Sequence, residues 1–68
     1  MRIRIIKNTD VNLDKPRLGE IWPKYLFQYD EYDISQVETL SESFANLVLE
    51  NGDVLLEVPI GSFQLQTA

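Results

Sequence analysis

The sequence predicts a mainly β fold: a small, partly open barrel of four to five strands with a short helix or helical turn in the middle segment. Three observations predict it. "RIRIIK" at residues 2–7 alternates charge with isoleucine, Asn51-Gly52 joins two apolar runs, and "PIGSF" at 59–63 breaks the chain before a last short run. A chain of 68 residues makes one domain, residues 1–68, and folding at this size buries only about 60% of the surface the unfolded chain exposes.

The elements follow in order. In "RIRIIK" Ile3 and Ile5 share one face and Arg2 and Arg4 the other, the signature of a half-buried strand. "NTDVNLDKPRLG" at 8–19 is rich in Asn, Asp, Pro and Gly and reads as a long loop anchored by Leu13 and Leu18. "EIWPKYLFQY" at 20–29 is apolar on both parities and suits a strand. Pro23 lacks an N–H, which limits this run to an edge position, a bulge or the start of pairing, so a bend near Trp22 and Pro23 is expected rather than an uninterrupted ladder. In "DISQVETLSESF" at 33–44 Ile34, Val37, Leu40 or Ser41, and Phe44 recur at steps of three and four, which predicts a short helix with Asp33 as N-cap and Gln36 completing a capping box. An acidic loop with one helical turn is the competing reading, because Ser, Thr and Asp are poor interior helix formers.

"FANLVLENGDVLLEV" at 44–58 predicts a hairpin closed by a two-residue type I′ turn at Asn51-Gly52. That register sets Glu50 opposite Asp53, Leu49 opposite Val54, Val48 opposite Leu55, Leu47 opposite Leu56 and Asn46 opposite Glu57. Leu47, Leu49, Val54 and Leu56 then face the core. Val48 and Leu55 lie on the other face among Glu50, Asp53, Asn46 and Glu57, an apolar spot in an acidic field. Beyond Val58, "IGS" reads as a tight helical turn, and Phe63 and Leu65 return to the core on a closing strand.

Taken together, "RIRIIK", "LGEIW" and "ENGDVLLEVPIGSF" resemble the small SH3-like barrel proteins of bacteriophages and mobile elements. The resemblance covers roughly residues 1–29 and 44–65, and residues 30–43 depart from it as a longer acidic insertion. It implies an SH3-like, partly open barrel and an accessory protein that binds a host protein. The family has no single activity, so the resemblance implies no catalytic residue.

Charge is distributed unevenly. Residues 1–24 hold six basic and three acidic side chains, whereas 25–68 hold eight acidic and no basic ones, giving a net charge of −5 and a pI near 4.4. Such a field repels phosphate and disfavours direct nucleic-acid binding. The chain has no Cys and no His, which removes disulfides, thiolate metal sites and the usual general base near neutral pH. Nothing in the pattern pairs a nucleophile with a base, and "DEYD" at 30–33 lacks the Gly and the distal Glu of a calcium loop, so no enzyme, metal or cofactor is expected. With no signal-peptide pattern and no run of roughly 18 apolar residues, a cytoplasmic protein is expected and no membrane partner.

Recognition of a protein remains. Tyr29, Asp30, Glu31 and Tyr32 set amphipathic aromatics among carboxylates, and Trp22, Glu50, Asp53 and Leu55 extend the candidate partner-binding set. Trp22 and Phe27 are also expected to fill core. Three readings compete: a protein-binding module, an acidic nucleic-acid mimic that inhibits a host defence or transcription enzyme, and a barrel subunit that forms a homo-oligomer through Val48 and Leu55.

Overall fold

The computed structural model describes residues 1–66. It has seven strands: β1 (Arg2–Ile5), β2 (Thr9–Lys15), β3 (Glu20–Leu26), β4 (Glu31–Thr39), β5 (Phe44–Leu49), β6 (Val54–Pro59) and β7 (Phe63–Gln66), with one 3₁₀ turn, Ile60–Ser62, before the last. They form a single open antiparallel sheet in the order β3-β2-β6-β5-β4-β1-β7. No helix among the described residues is long and apolar enough to cross a membrane.

The sheet is strongly curled. Neighbouring strands lie about 4.8 Å apart, so a flat sheet would hold β3 and β1 more than 20 Å from each other. Yet Leu26 of β3, Val11 of β2, Leu55 and Val58 of β6, Leu47 of β5, Ile34 of β4 and Ile3 and Ile5 of β1 are buried in one cluster. The loop after β3 locks the curl: Tyr29 N donates to the Ile5 carbonyl at 2.7 Å and Ile5 N donates to that of Asp30 at 2.8 Å. The radius of gyration, 11.1 Å, is that of a compact chain of this length.

Seven strands replace the expected four to five, because two stretches read otherwise are strands. The expected loop at 8–19 contains β2, in which Val11 and Leu13 face the core between Asp10, Asn12 and Asp14. Residues of low strand propensity hid a plain alternation. Only the tip, Pro16 to Gly19, is a turn, and Leu18 there is exposed rather than an anchor.

The expected helix at 33–44 is β4 followed by a tight turn, so Asp33 caps nothing and pairs instead across to Arg2 of β1. The three-residue step from Ile34 to Val37 has a different cause. Ser35 and Gln36 together oppose Val48, a β-bulge that reverses the alternation and turns both Ile34 and Val37 inward. Leu40 and Phe44, which completed the helical period, are exposed. In the turn, Ser41 Oγ accepts from the backbone N–H groups of Ser43 and Phe44 at 3.1 and 3.3 Å, the local bonding by which Ser favours turns over helix interiors.

The Asn-Gly hairpin is present with another register. Gly52 N donates to the Leu49 carbonyl at 3.0 Å and Leu49 N to that of Asp53 at 2.7 Å, so the loop has three residues, Glu50 to Gly52. Only Gly52 takes a positive φ, +95°, and the Asn51 side chain accepts from Asp53 N at 2.9 Å. This is a type I turn closed by a left-handed glycine, in place of the type I′ turn. Leu47 therefore opposes Leu55, not Leu56, and Val48 opposes Val54. A slip of one residue exchanges the faces: Leu55 is fully buried, while Val54 and Leu56 are half-buried. A second bulge, with Leu56 and Glu57 spanning the position of Asn46, brings Val58 back into the core. Glu57 has φ +50° and its N–H donates to Asn46 Oδ1 at 2.9 Å.

The 3₁₀ turn and the closing strand stand where the sequence placed them, with Phe63 against the core. Leu65 departs from its expected place: it is exposed, since β7 is an outer strand of the sheet.

Candidate protein-binding surface

The acidic stretch around residue 31 does not stand free. Glu31 and Asp33 lie on β4 opposite Arg4 and Arg2 of β1, and their outward side chains meet. Arg4 Nη2 reaches Glu31 Oε2 at 3.0 Å, Arg2 Nε reaches Asp33 Oδ1 at 3.0 Å, and Arg2 Nη1 lies 3.5 Å from Glu31 Oε1. Hydrogen bonding to Asp33, then the charges of Asp33 and Glu31, hold the Arg2 pKa above its ordinary value. The two halves of the charge distribution thus interleave at this ladder. Tyr32 between them points inward, opposite Ile3, and packs on the core. Burial first, and the charge of Asp30 second, raise its phenol pKa.

Asp53 is likewise partnered. Lys15 Nζ lies 3.1 Å from Asp53 Oδ2 and 5.2 Å from the centroid of the Trp22 ring, so carboxylate and indole hold one ammonium between them. Trp22 and Asp53, both candidates from the sequence, are brought together through Lys15, which the sequence did not single out.

The structure divides the remaining candidates. Glu31, Tyr32 and Glu50 border one shallow depression beside the hairpin loop, with Asp33, Leu49 and Asn51. Tyr29 and Asp30 lie in the loop after β3, where Tyr29 adopts φ +77° and is 73% exposed. Leu55, fully buried, belongs to no surface, and the outer-face apolar spot that the sequence assigned to Val48 and Leu55 is instead Val48 beside Val54.

The largest run of exposed apolar surface is on β3 and the loop that follows it. Ile21, Trp22, Tyr25, Phe27 and Tyr29 are all exposed, Ile21 at 60% and Phe27 at 57%. Trp22 and Phe27, expected in the core, therefore lie outside it. The cause is position in the sheet: β3 is an end strand, covered on one side only by β2. Pro23 fits that place. All seven residues of β3 pair in unbroken register with β2, from Lys15 opposite Glu20 to Thr9 opposite Leu26, so the expected interruption is absent. Pro is tolerated in such a ladder where its nitrogen faces the open edge.

Alternation sorts the strand into two faces. Trp22 and Lys24 lie opposite Leu13 and Val11 on the core-facing side, and Ile21, Pro23 and Tyr25 lie opposite Asp14, Asn12 and Asp10 on the outer side. Tyr25 and Phe27 meet edge to face, ring centroids 4.7 Å apart at 66°. Asp10, Asp14, Glu20 and Asp30 form no ion pair among the described residues. Sequence reasoning passed over Ile21 and Asp10 as binding residues. The available signal was an apolar run on both parities interrupted by Pro, which marks an edge strand and hence incomplete cover.

Fold and surface together define a class: a small all-antiparallel β protein with an aromatic, solvent-facing edge set among carboxylates. Comparison with protein-family models, with curated proteins and with solved structures found no match.

Proposed function

We propose that the chain is a small acidic, non-enzymatic protein-binding module, an accessory protein of the phage or mobile-element kind that works in the cytoplasm on a host protein. One observation carries the reading: the end strand β3 and its loop expose five large apolar side chains, Ile21, Tyr25 and Phe27 along the outer side, Trp22 on the other side and Tyr29 in the loop. In a chain with so little core, side chains of this size gain more by burial inside than by exposure, and large exposed apolar patches mark interaction sites. Tyr and Trp are enriched among the residues that dominate binding energy.

An SH3-like barrel is the finer fold reading. The order of elements supports it: a first strand, an excursion through the β2–β3 hairpin, the β4–β5–β6 meander, a 3₁₀ turn and a last strand back on β1. Nucleic-acid mimicry has less support, since three of the eight acids beyond Lys24 are paired with Arg2, Arg4 and Lys15. Self-association through Leu55 loses its residue to the core.

The test is capture from a bacterial host lysate by the wild-type chain beside a Phe27→Ser, Tyr29→Ser double variant, washed at low and high salt. Both side chains are exposed, so the variant retains the core. The expected outcome is a protein held by wild type through the high-salt wash and lost from the variant. A partner released by salt from wild type and indifferent to the two aromatics would instead support the acidic mimic, because ionic contacts are screened. Equal retention by both chains at both salts would remove the β3 surface from the interaction.

A further inference from the structure

At the β2–β3 hairpin an aromatic residue and a carboxylate are juxtaposed in two places. In the first, Trp22 and Asp53 share the ammonium of Lys15, 5.2 Å from the ring centroid and 3.1 Å from the carboxylate oxygen. In the second, Tyr25 of β3 lies directly opposite Asp10 of β2 on the outer face. Directly opposed residues hold their Cβ atoms about 5 Å apart, close enough for one cationic group to touch both side chains. Phe27 closes one side, edge to face on Tyr25. The groove between the two strands has a volume of about 480 Å³ and is lined by Asp10, Val11, Asn12, Pro23, Lys24 and Tyr25.

The two pairs differ in what neutralises them. Asp53 is matched within the chain, whereas Asp10 forms no ion pair among the described residues. Lys24 lines the groove but is paired opposite Val11, on the core-facing side. The outer positions of β2 and β3 are Asp10, Asn12, Asp14, Ile21, Pro23 and Tyr25, which include two acids and no base.

We propose that the Asp10–Tyr25 groove receives an arginine or lysine side chain of a partner protein, its charge against Asp10 and its face or stem against the Tyr25 ring. The residues on either side of that cation in the partner are apolar, because Pro23 lines the groove and Ile21 and Phe27 are exposed along the same strand and its loop, two residues beyond Pro23 and Tyr25. Charge complementarity selects this occupant over others. Nucleic acid and anionic lipid carry the wrong sign for a face bearing Asp10 and Asp14. A second copy meeting the same face would oppose those acids to each other in a chain of net charge −5. This assignment rests on the protein-binding reading and names the chemistry of the partner.

Two peptides test it, acetyl-Leu-Arg-Leu-amide and acetyl-Leu-Gln-Leu-amide, titrated into the full ¹⁵N-labelled chain and followed by amide chemical shifts. The arginine peptide is expected to move the signals of Asp10, Tyr25 and Phe27, and to bind at least about fivefold more weakly to Asp10→Asn or Tyr25→Leu, within the range of a cation–π contact. Glu42→Gln, on the β4–β5 turn, should bind like wild type. The spectra themselves report whether each variant is folded. Equal binding of the glutamine peptide at the same signals would overturn the cation assignment while leaving the protein-binding reading intact. Shifts confined to Glu31, Glu50 and their neighbours, or no shifts with either peptide, would overturn the groove as the site. A lysate partner lost from the Phe27, Tyr29 variant while neither peptide moves the Asp10 and Tyr25 signals would separate failure of the groove from failure of the protein-binding reading.

Discussion

Tyr32 shows how one residue can be read correctly in chemistry and wrongly in place. The sequence groups it with Tyr29 as a surface aromatic among acids, yet it sits opposite Ile3 and packs on the core, while Tyr29 three residues earlier is 73% exposed. The difference is strand parity: within β4, Glu31 and Asp33 point out to Arg4 and Arg2, and the residue between them must point in. Its placement has a measurable consequence. Because burial raises the Tyr32 pKa in the folded state, the unfolded chain releases the phenolic proton first as pH rises. The stability from the buried neutral phenol is therefore intact below the ordinary tyrosine value near 10 and declines above it. Urea midpoints of wild type and Tyr32→Phe should differ by a constant amount between pH 7 and 9 and then change, wild type falling faster. Parallel curves up to pH 11 would contradict the assignment.

At the scale of elements, two β-bulges explain most of the departures from sequence expectation. Helix and strand are distinguished by apolar spacings near 3.6 and 2, and a bulged strand produces a step of three where a regular one produces two. Ile34 to Val37 in β4 and Leu55 to Val58 in β6 are both such steps. The first imitates the period of a helix, and the second brings Val58 to the same side as Leu55, where regular alternation would group it with Val54 and Leu56. The hairpin loop adds the same kind of ambiguity, because Asn-Gly serves a two-residue loop or the end of a three-residue one, and these differ by one residue in register. Gly52→Ala tests the loop. At φ +95° with no atom within 4 Å of the added methyl, the substitution meets conformational strain alone, and should destabilise by about 1–2 kcal/mol. Gly61→Ala, equally uncrowded and without a positive φ, should leave stability within about 0.5 kcal/mol in the same denaturation series.

For the whole molecule the decisive feature is an open sheet that ends in β3. A long apolar end strand invites pairing with further chains, and proline at the edge is one of the ways proteins prevent it. Pro23 occupies the middle of β3 without disturbing its ladder to β2, so its effect is directed outward. Pro23→Val restores an N–H at the open edge and adds a strand former. Sedimentation should then show concentration-dependent association that wild type lacks; a variant that stays monomeric would mean the edge is protected by something other than Pro23. The same open position leaves Tyr25 and Phe27 available to a partner through their side chains rather than through backbone pairing.

The sequence by itself determined the mainly β class, the position of the Asn-Gly hairpin, the helical turn and short strand that close the fold and the division of charge at Lys24. These are local properties, written in propensities and in alternation over a few residues. Tertiary structure alone decided the number of strands, the register of the hairpin, which of Leu55 and Leu56 is core, the pairing of Arg2 and Arg4 with Glu31 and Asp33, and the exposure of Trp22 and Phe27. Each of these depends on which strand lies alongside which. In a sheet that neighbour is most often distant in sequence, and one extra residue in a bulge or loop exchanges the inner and outer faces of everything beyond it.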